Sequence, residues 1–552
     1  MKMKQPNVLI ILNDDMGYSD IGCYGGDIET PNIDALATEG VRFSQFYNTA
    51  RCSPSRASLL TGLHPHQTGI GILTYDNGPE GYPGDLNEHC VTMAEVLKDN
   101  GYQTYMSGKW HIAKSLKVPS NNWPLQRGFD EFYGTIIGAG GYYDPNTLTR
   151  GNENIEHEAK EDEDFYYTDA ISDQAVQYIE DHMIHHPDKP FFQYVAYTAP
   201  HWPLHAKEED VKKYAGRFDK GWDQLREERM ERLIETGIID DNWPLTDRDP
   251  TQPAWENAED KAWLLKCMEV YAAQIDNMDQ GIGRIKQVLA ETGELDNTLI
   301  IFLSDNGACA ENIPVDVTKE EMVDQLSIAK EHTRRGEKII FGNDPSIMPG
   351  PENTYQSYGV PWANLSNTPF RLYKHWIHEG GIATPLIVHW PAGIREKGVI
   401  NHTPGQLTDI MTTILDITGA KYPSTYKGQD ILPPEGKSLR PALNNEPVKD
   451  QPLFWEHEGH AAIRIGKWKL VKAYPGDWEL FDMDEDRTEW NDLAREYPDK
   501  VKDMAAQYEA WAKRCGVVPR DKILELMEKD GVKKAFWETD LEQYLSKKEV
   551  QE

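Results

Sequence analysis

The sequence predicts an α/β fold in which a large, mainly parallel sheet is sandwiched by helices. Short apolar runs rich in β-branched and aromatic residues recur along the chain and end in polar or glycine-rich turns, as strands do. Helical stretches separate these runs, and the runs are apolar throughout, which is typical of parallel strands buried on both faces. The predicted strands are residues 7–12, 102–107, 191–197, 298–303 and 385–390.

Two helices between the strands are marked by their ends or by their length. Thr92 and Glu95 form a capping box, which predicts that a helix begins there, and a nearby glycine predicts its end. A longer helix is predicted over residues 263–289. Residues 207–255 are charged and contain several Trp, and residues 316–362 are polar and rich in Gly and Pro. We interpret both segments as insertions of loops and helices that border a cleft.

The length and the change of pattern near the C-terminus predict two domains. A chain of 552 residues is long for one compact core, so we expect two domains of unequal size. Residues 461–472 and 478–482 are predicted as antiparallel strands, and residues 498–514 as a helix. We therefore predict a larger N-terminal domain over residues 1–432 and a smaller C-terminal α+β domain with an antiparallel sheet over residues 433–552.

Charge and composition exclude several classes of partner. The formal net charge is −34, which makes nucleic acid and anionic membranes poor partners. No apolar stretch approaches the roughly 18 residues that a membrane span needs. The apolar run near the N-terminus covers only residues 8–12 and ends in acids, so we expect no signal peptide. The six cysteines show no CxxC spacing, and together these features predict a cytoplasmic protein.

Polar side chains that can carry chemistry follow four of the predicted strands directly. In open α/β sheets, ligands bind beyond the carboxyl ends of the strands, so we expect these side chains to meet at one edge. Each of them alone is compatible with a solvated loop, but the four strand ends together favour a site. These side chains are Asp14, Asp15, Lys109, His111, His201, Asp305 and Asn306.

Four of these residues predict a metal site. They are Asp14, Asp15, Asp305 and Asn306. Their donors are hard oxygen atoms without sulfur or imidazole, which selects Ca²⁺ or Mg²⁺ over zinc. Three carboxylates that lie together also need a cation to offset their mutual repulsion. The alternative is turn chemistry, because Asp-Asn-Gly is also a common turn sequence.

The segment Cys52-Ser53-Pro54-Ser55-Arg56 carries the most specific pattern in the chain. We predict Ser53 as the N-cap and Pro54 as the first helical residue, which places Cys52 at the start of a helix. Helix N-termini attract anions, and Arg56 adds a fixed positive charge one turn further on. The alternative is that Cys52 is a buried structural cysteine, and the C-x-P-x-R spacing argues against it.

At these residues the sequence resembles the type I sulfatase family of the alkaline phosphatase superfamily. Residues 52–62 resemble the first signature of that family, and residues 101–111, with the sequence GYQTYMSGKWH, match the second. The likeness covers essentially the whole chain, is closest to bacterial arylsulfatases, and extends to residues 373–381 and 468–471. Arg51 departs from the family pattern, in which this position is usually small or aliphatic.

The resemblance implies that the nucleophile is made from Cys52. A formylglycine-generating enzyme or an anaerobic sulfatase-maturing enzyme would oxidise Cys52 to formylglycine, which is then hydrated to a geminal diol. The resemblance also implies a Ca²⁺ ion, with Mg²⁺ as the alternative. Its ligands would be Asp14, Asp15, Asp305, Asn306 and a hydroxyl group of residue 52.

The resemblance implies a role for each of the other site residues. Arg56, Lys109 and Lys374 would hold the sulfate oxygens and stabilise developing charge. His201 or Lys374 would protonate the leaving alcohol or phenol. His111 would remove the proton of the second hydroxyl of residue 52, so that sulfate is expelled.

The predicted function is therefore hydrolysis of aryl sulfates or of O-sulfated carbohydrates. A phosphonate monoesterase or phosphodiesterase of the same superfamily is one alternative, because it shares the formylglycine and the metal ligands. A non-catalytic calcium-dependent carbohydrate-binding protein is another, and the complete motif of residues 52–56 argues against it.

Several further side chains near the motifs stay ambiguous. The histidines that would support the site or orient their neighbours are His64, His66, His375 and His378. The residues that would either line the cleft or pack in the core are Trp202, Trp362, Trp376 and His457.

Overall fold

The structure is a computed structural model and describes residues 5–529. In chain order the strands are β1 (Asn7–Asn13), β2 (Val41–Tyr47), β3 (Gln103–Gly108), β4 (Glu131–Thr135), β5 (Leu148–Arg150), β6 (Glu153–Asn154), β7 (Phe191–Ala196), β8 (Thr298–Ser304), β9 (Ile340–Phe341), β10 (Thr354–Tyr355), β11 (Ala383–His389), β12 (Val399–Asn401), β13 (Gly405–Gln406), β14 (Thr425–Tyr426), β15 (Gln429–Asp430), β16 (Leu453–His457), β17 (His460–Ile465), β18 (Trp468–Lys472) and β19 (Glu479–Asp482). The helices are α1 (Pro31–Glu39), α2 (Cys52–Thr61), α3 (Pro65–Thr68), α4 (Met93–Asp99), α5 (Glu156–Glu161), α6 (Tyr167–His185), α7 (Glu208–Lys213), α8 (Gly221–Glu235), α9 (Lys261–Glu291), α10 (Gly359–Ser366), α11 (Glu379–Ile382), α12 (Leu407–Thr418), α13 (Pro498–Cys515) and α14 (Arg520–Lys529).

A mixed sheet of 11 strands organises the described part of the chain, and its centre is parallel. The strand order is β12-β2-β11-β8-β1-β7-β3-β4-β5-β6, and β13 also pairs with β2. The central strands β8, β1, β7, β3 and β4 run parallel to one another, whereas β11 is antiparallel to both β2 and β8. The predicted α/β fold with a large, mainly parallel sheet is confirmed.

Alternate residues of β1 point to opposite faces of the sheet, and each face has its own apolar core. Leu9 and Ile11 pack in the core that also contains residues of α1, α6, α8 and α9. Val8, Ile10 and Leu12 pack in the core that contains residues of α2, α4 and α12. Because helices cover both faces, every position of the strand can be apolar, which explains the continuous run in the sequence.

The structure contains each predicted strand, but two longer strands of the sheet were missed. Strand β2 carries Arg42, Ser44 and Gln45 between its apolar residues, and it is nevertheless buried along nearly its whole length. Strand β4 is short and contains Gly134. In both cases the polar or flexible residues hide the strand pattern, and burial against neighbouring elements overrides it.

The helix predictions hold with small changes at the ends. Thr92 Oγ1 accepts a hydrogen bond from Glu95 N at 3.1 Å, and Thr92 N donates to Glu95 Oε2 at 2.9 Å, so the capping box of α4 is present. The second predicted helix is α9, which extends two residues further at each end. The insertion over residues 207–255 contains α7 and α8. None of the helices within residues 5–529 combines the length and the apolarity that crossing a bilayer requires.

A separate antiparallel sheet of 4 strands, β16 to β19, follows the large sheet. Apolar residues of α13 pack on this sheet, and α13 matches the helix predicted over residues 498–514. A smaller C-terminal unit with an antiparallel sheet is therefore confirmed. The boundary between residues 432 and 433 stays a prediction, and residues 530–552 of the predicted domain lie outside the described residues.

Buried ion pairs hold this second sheet against the large one. Glu379, at the start of α11, pairs with Lys469 of β18 at 2.8 Å and with Arg487 at 2.9 Å, and all three side chains are fully buried. Tyr47, the last residue of β2, donates to Glu379 at 3.0 Å. Removal of one partner would leave an uncompensated buried charge, so this network fixes the C-terminal sheet beside the edge where β2 ends.

Candidate active site

One edge of the large sheet collects the predicted site residues. Strands β8, β1, β7 and β3 are parallel neighbours, so the segments that follow them meet there. Strand β2 points the same way and is followed by α2, which begins at Cys52. Strand β11 points the opposite way, so the loop before it, which carries Lys374, reaches the same edge.

Carboxylates and cations from different segments pair at this edge. Arg56 donates to Asp305 Oδ2 from both Nε and Nη2, at 3.1 and 2.7 Å, and the same Nη2 lies 3.5 Å from Asp14 Oδ2. Lys109 also donates to Asp14 Oδ2. These four side chains are fully buried, so each charge depends on its partner rather than on water.

The two carboxylates beside Arg56 differ in their pKa. Burial and the charge of Asp14 raise the pKa of Asp305 to about 7. Burial acts on Asp14 in the same direction, but Lys109 and His201 outweigh it and hold the pKa of Asp14 below its usual range. Burial is the larger cause of the raised pKa of Asp305, and the charge of Asp14 adds to it, so a divalent cation beside these groups would keep both carboxylates ionised.

Buried oxygen atoms of this cluster fit a divalent cation. Asp14 Oδ1 and Asn306 Oδ1 accept no hydrogen bond from any residue of the described range. Ligand atoms of Asp14, Asp15 and His201 lie within 4.8 Å of one another. Asn306 and Asp305 lie beside them, since Asn306 Nδ2 donates to Asp15 Oδ1 at 2.6 Å and Asp15 N donates to Asp305 Oδ1 at 3.3 Å. Hard oxygen donors left without a partner are the ligands that Ca²⁺ and Mg²⁺ bind.

The helix that carries the cysteine motif begins two residues earlier than predicted. Helix α2 covers Cys52–Thr61 and ends at Gly62 in the left-handed conformation. The N-cap is Arg51, so the prediction of Ser53 as N-cap and Pro54 as first helical residue is wrong. Ser53 Oγ is buried and finds no hydrogen-bond partner in the part of the chain that is described. Pro54 still lies in the first turn, where its missing N–H costs nothing.

The charges that act on Cys52 are those of the predicted site. Burial raises the pKa of the Cys52 thiol, while Lys109 and Lys374 act to lower it and Asp14 and Asp305 act to raise it. Cys52 is 2% exposed. A buried thiol with a raised pKa is a poor nucleophile near neutral pH, so the surroundings of Cys52 do not fit a reactive thiolate.

His201 and Lys374 form an adjoining pair with unequal affinity for a proton. His201 Nδ1 donates to the carbonyl of Trp202 at 2.6 Å, which leaves Nε2 as an acceptor 3.4 Å from Lys374 Nζ. Burial lowers the pKa of His201. Burial also opposes the charge of Lys374, but Asp15, at 2.9 Å, outweighs it and raises the pKa of Lys374.

His111 follows β3 at the same edge, and one nitrogen of its ring is buried. Its backbone φ is 55°, and its Nδ1 is buried with no hydrogen-bond partner within residues 5–529. The ring packs directly on Gly138, where a Cβ atom would collide with it. Burial, together with the charges of Lys109 and Arg56, lowers the pKa of His111 well below 6.5.

Glu311 is a residue of this edge that the sequence patterns did not reveal. It is buried and accepts hydrogen bonds from Trp202 Nε1 at 2.8 Å and from Arg51 Nη1 at 2.9 Å. It also lies 2.9 Å from His375 Nε2. An acid in a largely apolar segment just after the predicted metal ligands is the one sequence signal for it. Arg51, which departs from the family pattern, is paired with this carboxylate.

Three of the ambiguous histidines contact residues of the C-terminal unit. His64 and His66 both pack against the ring of Trp511, with ring centroids 4.9 and 5.9 Å apart. His378 Nε2 lies 2.9 Å from Glu479 Oε2. These contacts join α3 and the loop before α11 to the C-terminal unit.

The ambiguous aromatic residues divide between the core and the site. Trp362 is fully buried against Trp222, with ring centroids 5.3 Å apart, and Trp376 packs on His460 at 4.8 Å. The alternative of a core residue therefore holds for both. His457 lies beside His375 near the site, with ring centroids 6.2 Å apart.

Comparison with known families identifies the protein class. A sequence model of the family described as Sulfatase matches residues 6–420. The chain belongs to the sulfatase family. A second family model, described as "N-sulphoglucosamine sulphohydrolase, C-terminal", matches residues 370–513 of this sulfatase. The resemblance to type I sulfatases and the prediction of a sulfuric ester hydrolase are confirmed, which argues against a non-catalytic binding protein.

Relatives of this sulfatase match it over most of their length. An uncharacterised sulfatase of Schizosaccharomyces pombe is 32% identical over 560 residues, which cover 95% of this chain and 96% of the relative. An arylsulfatase of Klebsiella aerogenes is 34% identical over 453 residues, which cover 79% of this chain and 92% of the relative. An N-acetylglucosamine-6-O-sulfatase of Bacteroides thetaiotaomicron is 27% identical over 571 residues, which cover 91% and 85% of the two chains.

Solved structures support the same fold. The crystal structure of Ps i-CgsB superimposes on this sulfatase with a TM-score of 0.65 and 25% sequence identity, and the match covers 96% of this chain and 98% of the other. Its complex with k-i-k-neocarrahexaose matches with a TM-score of 0.64 and 26% identity, over 92% and 93% of the two chains.

We predict that the oxygen cluster binds one divalent cation per chain. Prolonged chelation should remove it, and Ca²⁺ should restore both the bound ion and thermal stability better than Zn²⁺, because the predicted donors are oxygen atoms. At a free Ca²⁺ concentration 100 times the dissociation constant, the expected stabilisation is about 2.7 kcal/mol. Elemental analysis and thermal unfolding measure both effects without substrate.

Variants localise this cation. Asp305→Ala should lose the bound ion and the thermal shift together. Asp279→Asn is the matched control, because Asp279 is a buried carboxylate that accepts from the backbone N–H groups of Asn32 and Ile33 at the start of α1. It should keep the ion. Retention of both the ion and the thermal shift by Asp305→Ala would contradict the assignment.

Proposed function

We propose that this sulfatase hydrolyses sulfate esters of phenols or of sugar alcohols, with a formylglycine made from Cys52 as its nucleophile. The observation that supports the proposal most is the position of Cys52 at the start of α2, where the charges of Lys109, Lys374 and two carboxylates of the predicted cation site act on it. A sulfate ester is an anion with a reactive sulfur, so it needs cations around its oxygens and a nucleophile between them.

Conversion of Cys52 is a two-electron oxidation that a separate enzyme must catalyse. With one water, the CH₂–SH group becomes an aldehyde and releases hydrogen sulfide, two protons and two electrons. We infer that a formylglycine-generating enzyme using dioxygen, or an anaerobic sulfatase-maturing enzyme with another electron acceptor, takes up the electrons. Because Cys52 is 2% exposed, the maturation enzyme needs the chain before it has folded completely.

The cation site would be built from two residues with an unpaired oxygen, Asp14 and Asn306, and from the two carboxylates beside them. Asp14, Asp15, Asp305 and Asn306 would hold Ca²⁺ or Mg²⁺. When bound, the cation lowers the pKa of a hydroxyl group of residue 52 and helps to orient it.

Three buried, positively charged side chains would bind the sulfate group. Arg56 is held by Asp305, Lys109 by Asp14 and Lys374 by Asp15, so their positions are set before substrate arrives. Preorganised charges in a site without bulk water stabilise developing negative charge more than mobile ones do.

In the first step, a hydroxyl group of residue 52 in its hydrated formylglycine form would lose its proton to solvent and its oxygen would bond to sulfur, as the bond between sulfur and the leaving oxygen breaks. The leaving oxygen takes a proton from the pair of His201 and Lys374. Since Lys374 carries the proton at neutral pH and His201 Nε2 accepts from it, the pair can pass a proton to the leaving group through either member. Residue 52 then carries a sulfate ester and one remaining hydroxyl.

In the second step, the remaining hydroxyl of residue 52 loses its proton to His111. The carbonyl bond re-forms, the carbon–oxygen bond to the sulfate group breaks, and sulfate leaves. Burial keeps His111 neutral, so it can accept the proton at neutral pH. Water then adds to the aldehyde and restores the diol.

The substrate class is inferred from relatives. They include proteins named arylsulfatase and N-acetylglucosamine-6-O-sulfatase, and a structural neighbour was solved with a neocarrahexaose. We infer from them that this sulfatase acts on an aryl sulfate or on an O-sulfated carbohydrate.

The nucleophile is tested by the chemistry of residue 52. In protein produced together with a maturation enzyme, peptide mass spectrometry should find residue 52 as an aldehyde or its hydrate. Cys52→Ala should lower turnover roughly 10⁴-fold or more, as the loss of a nucleophile does. The matched control is Cys90→Ala, which removes another buried thiol and should keep activity. Full activity in protein whose Cys52 is an intact thiol would contradict the proposal.

The proton donor is tested with a series of leaving groups. A nitrophenolate departs readily without a proton, whereas a sugar alkoxide does not, so His201→Ala should lose far more activity on a sugar sulfate or phenyl sulfate than on nitrophenyl sulfate. His378→Ala, which removes a buried imidazole paired with Glu479, should show no such dependence. An equal loss for His201→Ala across the series would leave Lys374 as the acid.

A further inference from the structure

One buried carboxylate joins three separate segments of the site. Glu311 Oε2 accepts a hydrogen bond from Trp202 Nε1 at 2.8 Å. Its other oxygen, Oε1, lies 2.9 Å from Arg51 Nη1, 2.9 Å from His375 Nε2 and 4.0 Å from Lys374 Nζ. Glu311 is 4% exposed, so these interactions are made away from bulk water and are stronger there.

The residues that Glu311 contacts are next in sequence to the proposed catalytic residues. The adjacent pairs are Arg51 and Cys52, His201 and Trp202, and Lys374 and His375. Neighbouring residues share a planar peptide unit, so a side chain held in one place limits the position of the residue beside it. One carboxylate thereby constrains the nucleophile and both members of the proton-donating pair.

Backbone contacts among the same segments strengthen this arrangement. His375 N donates to the carbonyl of Ala50 at 2.9 Å, and Lys374 N donates to the carbonyl of Ala308 at 3.1 Å. His375 and Ala50 have backbone φ values of 82° and 63°, which residues other than glycine rarely adopt. Such conformations persist where the surroundings hold them, and Glu311 is part of those surroundings.

Glu311 is itself firmly placed. It follows Asp305 on the segment after β8, and its carbonyl accepts a hydrogen bond from Ser357 Oγ at 2.8 Å. Burial acts to raise the pKa of Glu311, but Lys374 and Arg51 outweigh it and hold the pKa well below its usual range. The carboxylate is therefore ionised at neutral pH and can accept several hydrogen bonds at once.

We propose that Glu311 is a positioning residue that sets the distance between the nucleophile at residue 52 and the proton-donating pair of His201 and Lys374. This inference rests on the proposed function, which gives these three residues their roles. Without the Glu311 carboxylate, Trp202 and His375 lose their common anchor. The proton donor then moves relative to the leaving oxygen, and transfer of the proton suffers more than binding of sulfate by Arg56 and Lys109.

The test compares variants on a series of aryl sulfates with leaving groups of increasing pKa. Glu311→Gln keeps the shape of the side chain and removes its charge and one acceptor. Its kcat/KM, divided by the fraction of residue 52 converted to formylglycine, should fall about 10²-fold on phenyl sulfate, as for a misplacement of about 1 Å. On nitrophenyl sulfate the loss should be a few-fold, so the dependence on leaving-group pKa becomes steeper.

Two further variants serve as a second probe and a matched control. Trp202→Phe keeps the aromatic ring and removes the N–H that donates to Glu311, so it should steepen the same dependence by a smaller amount. Glu458→Gln removes another buried carboxylate beside His375, one that pairs with His375 Nδ1 at 3.5 Å and with Arg520 at 3.6 Å. It should leave the dependence on leaving-group pKa unchanged.

The outcomes separate this inference from the proposed function. If kcat/KM of Glu311→Gln depends on leaving-group pKa as it does in the parent protein, the positioning role is overturned. This includes the case in which the variant loses the same factor on every substrate. If Glu311→Gln does not fold, the positioning role is tested with Glu311→Asp and Trp202→Phe, by the same dependence of kcat/KM on leaving-group pKa. A parent protein with fully converted residue 52 that releases no sulfate from any ester overturns the proposed function, and the positioning role falls with it.

Discussion

The pairing of buried carboxylates with buried cations at the carboxyl edge of the parallel sheet is the constraint on which this structure depends. Burying charge is costly unless every group finds a partner with good geometry. Here Asp14 follows β1 and Asp305 follows β8, while Lys109 follows β3 and Arg56 lies on α2. Because each pair joins segments that are distant in sequence, the edge is complete only when the strands are in register.

Charge and burial together determine which groups of the site are charged and which are neutral. The pKa of Lys374 is raised by its carboxylate neighbour, so it keeps its charge and can bind an anion, whereas burial lowers the pKa values of His111 and His201 and keeps these rings neutral. A sulfate monoester presents an anion to the cations and a leaving oxygen to the proton donor. One oxygen of Asp14 and one of Asn306 lack hydrogen-bond partners within the described range, and both can serve as ligands of a hard cation.

The sequence alone predicts the parts of this site that depend on strand ends and on a short motif. Asp14, Lys109 and Asp305 follow apolar strands directly, and parallel strands end at a common edge. The same reasoning fails for Glu311, because its partners Arg51, Trp202 and His375 lie 260, 109 and 64 positions away in sequence. The N-cap of α2 was missed for a local reason. Ser53 and Pro54 are favoured at a helix start, but the chain enters the helix two residues earlier, through an extended Arg51.

The covalent state of residue 52 during turnover tests the central claim most directly. In matured His111→Ala protein that is mixed with an aryl sulfate and quenched in acid, the account predicts a rapid release of about one phenol per chain. The peptide that contains residue 52 should gain the mass of one SO₃ group relative to hydrated formylglycine. A slow His111→Ala variant whose residue 52 stays unmodified throughout turnover, or whose adduct lies on another residue, would contradict the account.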